Sequence, residues 1–104
     1  RPPNRRGGKR SDKKILDNLC KKNQINYLGL FGSYARGEAD AKSDVDLLVD
    51  FSVTPSLLRH VGMEYEFSEN VFNNRKVDLV TKRSLKKDFV PNVVKDLVTL
   101  YETR

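Results

Sequence analysis

The sequence predicts an α/β (α+β) domain in which three strands alternate with helices, in the order αβαβαβα. In some segments apolar residues recur with the period of a helix, and other segments have the length and composition of strands. Strands separated by helices favour a small sandwich, with a three-stranded and at least partly mixed sheet covered by helices. A chain of 104 residues can form one such domain with a modest core.

The first predicted helix is followed closely by the first strand. Ser11 can cap the helix, and Asn23 is expected to end it. The apolar positions at helical spacing are Ile15, Leu16 and Leu19. Residues 25–31 are rich in β-branched, aromatic and aliphatic side chains and end at Gly32, which predicts a buried strand.

The remaining elements follow at short intervals. Residues 44–51 alternate in polarity, which predicts a second strand with one charged face. Thr54-Pro55 is typical of a helix start, and residues 76–80 predict a short third strand. Ser84 can open a final helical region. Two apolar stripes at helical spacing define the later helices: Leu57, Leu58, Val61 and Tyr65 in one, and Val93, Val94, Leu97 and Tyr101 in the other.

The positive charge is concentrated at the start of the chain. The formal net charge is +6, and five of the 20 basic residues lie within residues 1–10, so residues 11–104 are close to neutral. Because this opening segment has almost no apolar side chains, we expect residues 1–10 to be a disordered basic tail and residues 11–104 to be the domain. The tail is interpreted as a remnant of upstream sequence or as a nucleic-acid-binding arm; no other part of the chain predicts nucleic-acid binding.

The sequence also argues against a protein held together by disulfides or metal–thiolate clusters and against a membrane protein. Cys20 is the single cysteine, which excludes an intramolecular disulfide and a metal–thiolate cluster. No apolar run is long enough for a membrane span, and no signal peptide is recognisable. We therefore expect a cytoplasmic protein without a membrane partner.

The unusual residues are three aspartates within predicted strands. Asp44 and Asp46 are two apart, so both project from one face of the second strand, and Asp78 interrupts the apolar third strand. They could be the solvated face of an edge strand, but aspartate is depleted in strands, which favours a site for hard cations such as Mg²⁺. Gly32-Ser33, at a strand end, could admit a phosphate or could be an ordinary turn.

These features combine into a recognisable motif. The stretch Leu30–Gly37 followed by Ser43–Val49 resembles the minimal nucleotidyltransferase (MNT) family of the polymerase-beta-like superfamily, with Gly-Ser, ten residues, and Asp-x-Asp. Residues 76–80 look like the third-carboxylate strand of that family. The resemblance covers about residues 12–103 and implies the nucleotidyltransferase fold.

The resemblance also implies roles for individual residues. Gly32 and Ser33 would hold triphosphate oxygens, and Asp44, Asp46 and Asp78 would be the catalytic residues that bind two Mg²⁺ ions. Asp78 would also help to activate the attacking hydroxyl. ATP would be the substrate.

By the same resemblance, the chain is expected to be an antitoxin that transfers AMP to a tyrosine of a HEPN-domain toxin. Two alternatives stay open at this point. One is nucleotidyl transfer to a small molecule or an RNA end, and the other is a binding module that silences its partner without catalysis.

Three more residues can be interpreted from the sequence. Arg36 either contacts phosphate, as part of the nucleotide-binding set, or ties its loop to Glu38 or Asp40. Ser43 is expected to be a turn residue. His60, without a nearby cysteine or second histidine, is expected to face solvent.

Overall fold

Helices cover both faces of a mixed sheet. The computed structural model describes residues 4–37 and 44–103, with side chains described from residue 13 onward; Glu38, Asp40 and Ser43 therefore lie outside the described residues. The elements in chain order are α1 (Asn4–Lys22), β1 (Ile25–Phe31), α2 (Gly32–Ala35), β2 (Val45–Phe51), α3 (Leu57–Asn70), β3 (Val77–Thr81), a 3₁₀ turn (Lys87–Phe89), α4 (Val90–Asp96) and β4 (Val98–Glu102).

The sheet has four strands in the order β3-β2-β1-β4. β2 is antiparallel to β1 and parallel to β3, while β4 is antiparallel to β1. The prediction of three strands was therefore wrong by one strand. The final helix ends at Asp96, because Leu97 is already extended, and the residues that follow pair with the free edge of β1. Apolar spacing at Leu97 and Tyr101 suited a helix and a strand equally well.

Helix boundaries also differ from the predicted ones. α1 begins at Asn4, seven residues before the predicted start at Ser11, and takes in most of the segment assigned to the tail. A domain boundary after residue 10 stays a prediction. α3 is capped by Ser56, whose hydroxyl accepts from the backbone N–H of Arg59 at 3.1 Å, rather than by Thr54.

One face of the sheet carries the main core. The inward side chains of β2, such as Leu47, pack against α1 and α3, where Cys20 and Phe67 have no exposed surface. This cluster comprises Leu16, Leu19, Cys20, Ile25, Leu28, Val45, Leu47, Val49, Met63, Phe67, Phe72, Val77 and Leu79. Contiguous burial on this scale provides most of the hydrophobic stabilisation.

The opposite face carries a much smaller cluster. Tyr27, Leu48 and Val93 are its buried members, with Phe31, Leu85 and Leu97 packed against them. α4 covers β1 on this side, near one end of the sheet. The rest of the face is available for polar side chains.

α3 protects the edge of the sheet at β3. Its His60 side chain donates from Nε2 to the backbone oxygen of Leu79 at 3.0 Å, and its Glu64 carboxylate accepts from the backbone N–H of Leu79 at 2.9 Å. The expectation that His60 faces solvent was wrong, because its side chain is only 22% exposed. Satisfying the outward backbone groups of an edge strand discourages pairing with another chain.

The apolar stripe predicted for α3 does not face the core. Leu57, Leu58, Val61 and Tyr65 are between 53% and 83% exposed. The buried residues of the helix are Met63, Phe67 and Ser68, and the two apolar ones lie on the opposite side from this stripe. The helix is therefore apolar on two opposite sides, and spacing alone could not distinguish them.

Candidate active site

Three neighbouring strands place the predicted site residues in one row across the sheet. Asp46 of β2 lies opposite Asp78 of β3 in the parallel register and opposite Phe31 of β1 in the antiparallel register. Partners at the same level of a sheet project from the same face. This is the face of the smaller cluster, because Asp46 and Leu48 are two residues apart on β2.

Asp44 extends this row by one step. It precedes the first residue of β2, so it lies on the same side as Asp46, and its side chain is exposed. Asp78 is exposed as well, while Asp46 is partly buried. All three carboxylates predicted from the sequence thus gather at one end of β2 and β3.

The neighbouring carboxylates affect the ionisation of Asp46. Burial raises the pKa of Asp46 above its ordinary value, and the charges of Asp78 and Asp44 raise it further. Ionising Asp46 is therefore unfavourable, and a cation would relieve both the desolvation and the repulsion.

Gly32 closes one side of this carboxylate group. Its φ is +80°, in the region that glycine adopts without strain, and a Cβ built on it would lie 2.5 Å from Oδ2 of Asp46. Any side chain here would occupy the space in front of Asp46. The glycine therefore lets the chain turn sharply at the end of β1 while the Asp46 carboxylate stays accessible.

Ser33 follows within a single helical turn, α2. The helix predicted to begin here is therefore only four residues long, which is too short for a large helix dipole. An anion beside Gly32 would depend on individual N–H groups and the Ser33 hydroxyl.

Arg36 connects this turn to α4. Its Nη1 atom lies 2.8 Å from Oδ2 of Asp96, a partner that the sequence interpretation did not include. The Arg36 side chain is 42% exposed, so part of it still reaches solvent beside Gly32. The ion pair with Asp96 tests neither the predicted contact of Arg36 with phosphate nor its predicted bond to Glu38 or Asp40.

A cleft lies next to Gly32 on the α4 side. It has a volume of about 490 Å³ and is lined by Phe31, Gly32, Arg36, Phe89, Asn92 and Asp96, among others. Phe89 is 55% exposed. The cleft thus combines an aromatic surface, an amide and a guanidinium within reach of the glycine turn.

The donor set suits a hard divalent cation. Among the residues that the structure describes, no three Asp, Glu, His or Cys side chains form a ready-made metal-binding group. However, two of the three carboxylates are exposed, and the glycine turn keeps the third uncovered. Mg²⁺ is commonly bound by one or two carboxylates together with phosphate oxygens. This suits a group of carboxylates that come together only when a cation and its phosphate ligand are bound.

Comparison with known proteins identifies the family. Residues 12–100 match the model of the nucleotidyltransferase domain. The chain belongs to this family. It is a nucleotidyltransferase, and the fold and enzyme class expected from the sequence are confirmed.

Individual relatives support the same assignment. The protein adenylyltransferase MntA of Thermococcus cleftensis is 47% identical over 74 residues, which cover 71% of this chain and 73% of the relative. A solved structure provisionally assigned as a minimal nucleotidyltransferase is 31% identical, with a TM-score of 0.68, and the alignment covers 84% of this chain and 86% of that chain.

A third comparison shows the fold alone. A chain in the complex of a tri-AMPylated HEPN toxin of Shewanella oneidensis with MNT antitoxin aligns with a TM-score of 0.64 at 23% identity, covering 92% of this chain and 73% of that chain. In the part of the chain that the structure describes, no helix is long and apolar enough to cross a membrane.

Sequence reasoning missed the residues contributed by the last third of the chain. Asp96, Phe89 and Asn92 reach the site only because α4 packs over β1. Their position depends on a contact between segments about 60 residues apart. No signal in the sequence marked them, because Phe89 and Asn92 fall within the segment predicted as the final helical region and nothing there indicates a contact with β1.

Proposed function

We propose that this chain transfers AMP from ATP to a tyrosine hydroxyl of a HEPN-domain toxin and thereby acts as an antitoxin. The observation that carries the proposal is the row formed by Asp46 and Asp78, with Gly32 against the Asp46 carboxylate. The name of the Thermococcus cleftensis relative and the AMPylated Shewanella oneidensis complex support the choice of nucleotide and partner.

The residues divide into two groups in this proposal. Gly32 and Ser33 hold the triphosphate oxygens, with the guanidinium of Arg36 nearby, and the cleft beside Gly32 receives the rest of the nucleotide. Asp44, Asp46 and Asp78 lie on the other side of the glycine turn. The α-phosphate is thereby placed over the carboxylates, where the acceptor hydroxyl attacks and pyrophosphate leaves.

Two Mg²⁺ ions held by Asp44, Asp46 and Asp78 would neutralise the charge that develops on the phosphate oxygens. Asp78 lies on the edge strand β3, and its side chain is exposed. In this proposal Asp78 accepts a hydrogen bond from the incoming hydroxyl and then its proton. We place the reaction in the cytoplasm, where ATP is supplied.

The acceptor in this proposal is a protein because the described domain offers little to recognise a small molecule. The cleft next to Gly32 is an open groove on one side of the carboxylates. A folded partner can present a tyrosine to the other side and supply the recognition surface itself.

The decisive experiment compares two aspartates of the same strand face. Asp46→Asn and Asp50→Asn both neutralise a carboxylate on β2, but Asp50 lies at the other end of the strand, opposite Tyr27. Each protein is incubated with a purified HEPN partner, Mg²⁺ and α-labelled ATP, and label on the partner is measured. We expect Asp46→Asn to lose at least about 10²–10³-fold in rate and Asp50→Asn to stay close to the unsubstituted protein.

Additional readouts separate transfer from docking. Binding of the HEPN partner, measured by calorimetry, should be the same for both variants. Mass spectrometry should place AMP on a tyrosine, and a Tyr→Phe partner should not be labelled. Full labelling by Asp46→Asn would overturn the assignment of the site, and silencing of the toxin without any label would favour the non-catalytic binding module.

A further inference from the structure

The cleft beside Gly32 has features that neither the fold nor the transfer step requires. Its wall includes the ring of Phe89, which is 55% exposed, and the side chain of Asn92, which is exposed as well. Within the described residues, the Phe89 ring stacks on no other aromatic ring and the Asn92 amide makes no hydrogen bond. A ring and an amide that converge on one cleft are suited to a flat ligand with hydrogen-bonding groups.

The local structure turns these two side chains toward the same side of α4. Phe89 is the N-cap residue of α4, and Asn92 and Asp96 follow three and seven residues later. The three residues therefore lie within about 60° of one another around the helix axis. Asp96, at the far end, is bound to Arg36 next to Gly32. This ion pair directs the shared side of α4 toward the glycine turn.

α4 is also held at a fixed distance from the sheet. Val93 is buried against Tyr27 and Leu48 on the face that carries Asp46. Pro91 lies in the first turn of α4, where its fixed φ favours a helix and no backbone N–H is needed. Packing therefore forms this wall of the cleft before any ligand binds. A preformed wall lowers the cost of ordering side chains on binding.

The cleft continues directly from the carboxylates. Phe31 lines the cleft and lies opposite Asp46 in the register of β1 and β2. A nucleotide with its α-phosphate over Asp46 would extend its ribose past Phe31. Its base would then reach the wall formed by Phe89 and Asn92. The cleft volume of about 490 Å³ suits a ligand of this size, since such pockets measure about 300–1,000 Å³.

The chemistry of this wall suits adenine better than guanine. An aromatic ring stacks on either purine, so Phe89 does not distinguish them. The amide of Asn92 can form two hydrogen bonds with adenine, because its oxygen accepts from the N6 amino group while its nitrogen donates to N7. Guanine presents two acceptors, O6 and N7, at the same edge. The amide oxygen would then face O6 without a donor, which reduces affinity.

We propose that Phe89 and Asn92 form a base subsite that selects adenine, with the Phe89 ring stacked on the purine and the Asn92 amide paired with N6 and N7. This assignment rests on the proposed function, because it concerns the nucleotide which that function uses. It adds a selectivity that the carboxylates and the glycine turn do not supply, since those groups are assigned to the metal ions and the phosphates.

The first test measures nucleotide binding without an acceptor, so it does not depend on AMP transfer. ATP, GTP and 7-deaza-ATP, which has a carbon in place of N7, are titrated into the full chain with Mg²⁺ in a calorimeter. We expect ATP to bind at least about tenfold more tightly than either of the others. Asn92→Ala should bind all three with nearly equal affinity. Phe89→Leu should weaken all three about tenfold and keep the preference for ATP.

Tyr65→Leu and Asn18→Ala are the matched controls. Tyr65 is an exposed aromatic residue of α3, at 70% against 55% for Phe89, and Asn18 is an exposed asparagine of α1. Neither side chain lines the cleft. Both controls should bind the three nucleotides as the unsubstituted chain does, and circular dichroism should show that all four variants are folded.

Transfer to the acceptor protein provides a second readout. Contacts with the base are made equally in the ground state and the transition state, so Asn92→Ala should raise KM for ATP about tenfold and leave kcat nearly unchanged. Asp46→Asn should instead lower kcat, because the metal ions act on the transition state. This difference separates a residue that selects the base from one that takes part in the chemistry.

Four results would overturn the base subsite: equal affinity for ATP and GTP, equal affinity for ATP and 7-deaza-ATP, a preference for ATP that survives Asn92→Ala, or affinities that Phe89→Leu leaves unchanged. Any of them can occur while AMP transfer proceeds, and the proposed function would then stand. Binding with the expected preference but without transfer would leave the base subsite and overturn the proposed function. A chain that binds none of the three nucleotides would overturn both.

Discussion

The two faces of the sheet differ in how their side chains are used. On the face covered by α1 and α3, aliphatic and aromatic residues form one continuous cluster. On the other face only Tyr27, Leu48 and Val93 are buried among the described residues, and Asp46 lies partly buried in the same strand as Leu48. The comparison indicates that one face supplies stability, which allows the other to hold Asp46, a carboxylate whose ionisation is opposed by burial and by neighbouring charges.

The largest expected effect is on the core face. Phe67→Ala removes a fully buried aromatic side chain and should reduce the free energy of unfolding by about 3–5 kcal/mol, measured by urea denaturation. Val49→Ala and Val93→Ala make the same deletion on the core face and the site face. The site-face variant should be the milder one, and equal losses would contradict the division between the two faces.

The next effect is stabilisation by ligand. Mg²⁺ with a non-hydrolysable ATP analogue at a hundredfold excess over Kd should add about 2.7 kcal/mol, which raises Tm by on the order of 10 °C. Asp46→Asn should lose this shift. In EDTA, at a pH above the raised pKa of Asp46, the Asp46→Asn variant should have a Tm equal to or higher than that of the unsubstituted protein. The reason is that the substitution removes a carboxylate that ionises unfavourably. A variant that melts well below the unsubstituted protein in EDTA would mean that Asp46 is structural.

A smaller effect on stability is expected at the glycine turn. Gly32→Ala places a Cβ at positive φ and 2.5 Å from Oδ2 of Asp46, so it should lose about 1–2 kcal/mol together with nearly all AMP transfer. Gly37→Ala is the matched control, because Gly37 has a φ of +77° but a Cβ there would meet nothing within 4 Å. Gly37→Ala should therefore lose stability through backbone strain but keep its AMP transfer. Equal activities for the two variants would contradict the role of Gly32 beside Asp46.

The smallest expected effect concerns Arg36. Arg36→Ala and Asp96→Asn break the same exposed ion pair, so each should reduce stability by only about 0.2–1 kcal/mol in thermal melts. If Arg36 contacts the triphosphate, only Arg36→Ala should raise KM for ATP, by about tenfold. Identical KM values for the two variants would argue against a contact between Arg36 and the triphosphate.

Much of the site was predictable because its signals are local. The Gly-Ser turn and the Asp-x-Asp pair depend on strand alternation and on the freedom of glycine at positive φ, both of which are properties of short segments. The third carboxylate, Asp78, could be recognised because it interrupts an apolar strand. Their meeting at one end of the sheet then required only that β2 and β3 lie side by side.

Other features were not predictable in this way. The stripe of Leu57, Leu58 and Val61 gave a correct helix but the wrong buried side, because a helix with two apolar sides has the same period for both. His60 was assigned to solvent, although it bonds the edge of β3. That partner is 19 residues away along the chain, so no local pattern could reveal it.

The sequence by itself determined the order of most elements, the positions of the carboxylates and the glycine turn, since each follows from the conformations of a few adjacent residues. Tertiary structure decided which side of α3 is buried, added β4 to the free edge of β1, and brought Asp96 to Arg36. These outcomes depend on burial and hydrogen bonding between distant segments. They are fixed only when the whole sheet is assembled.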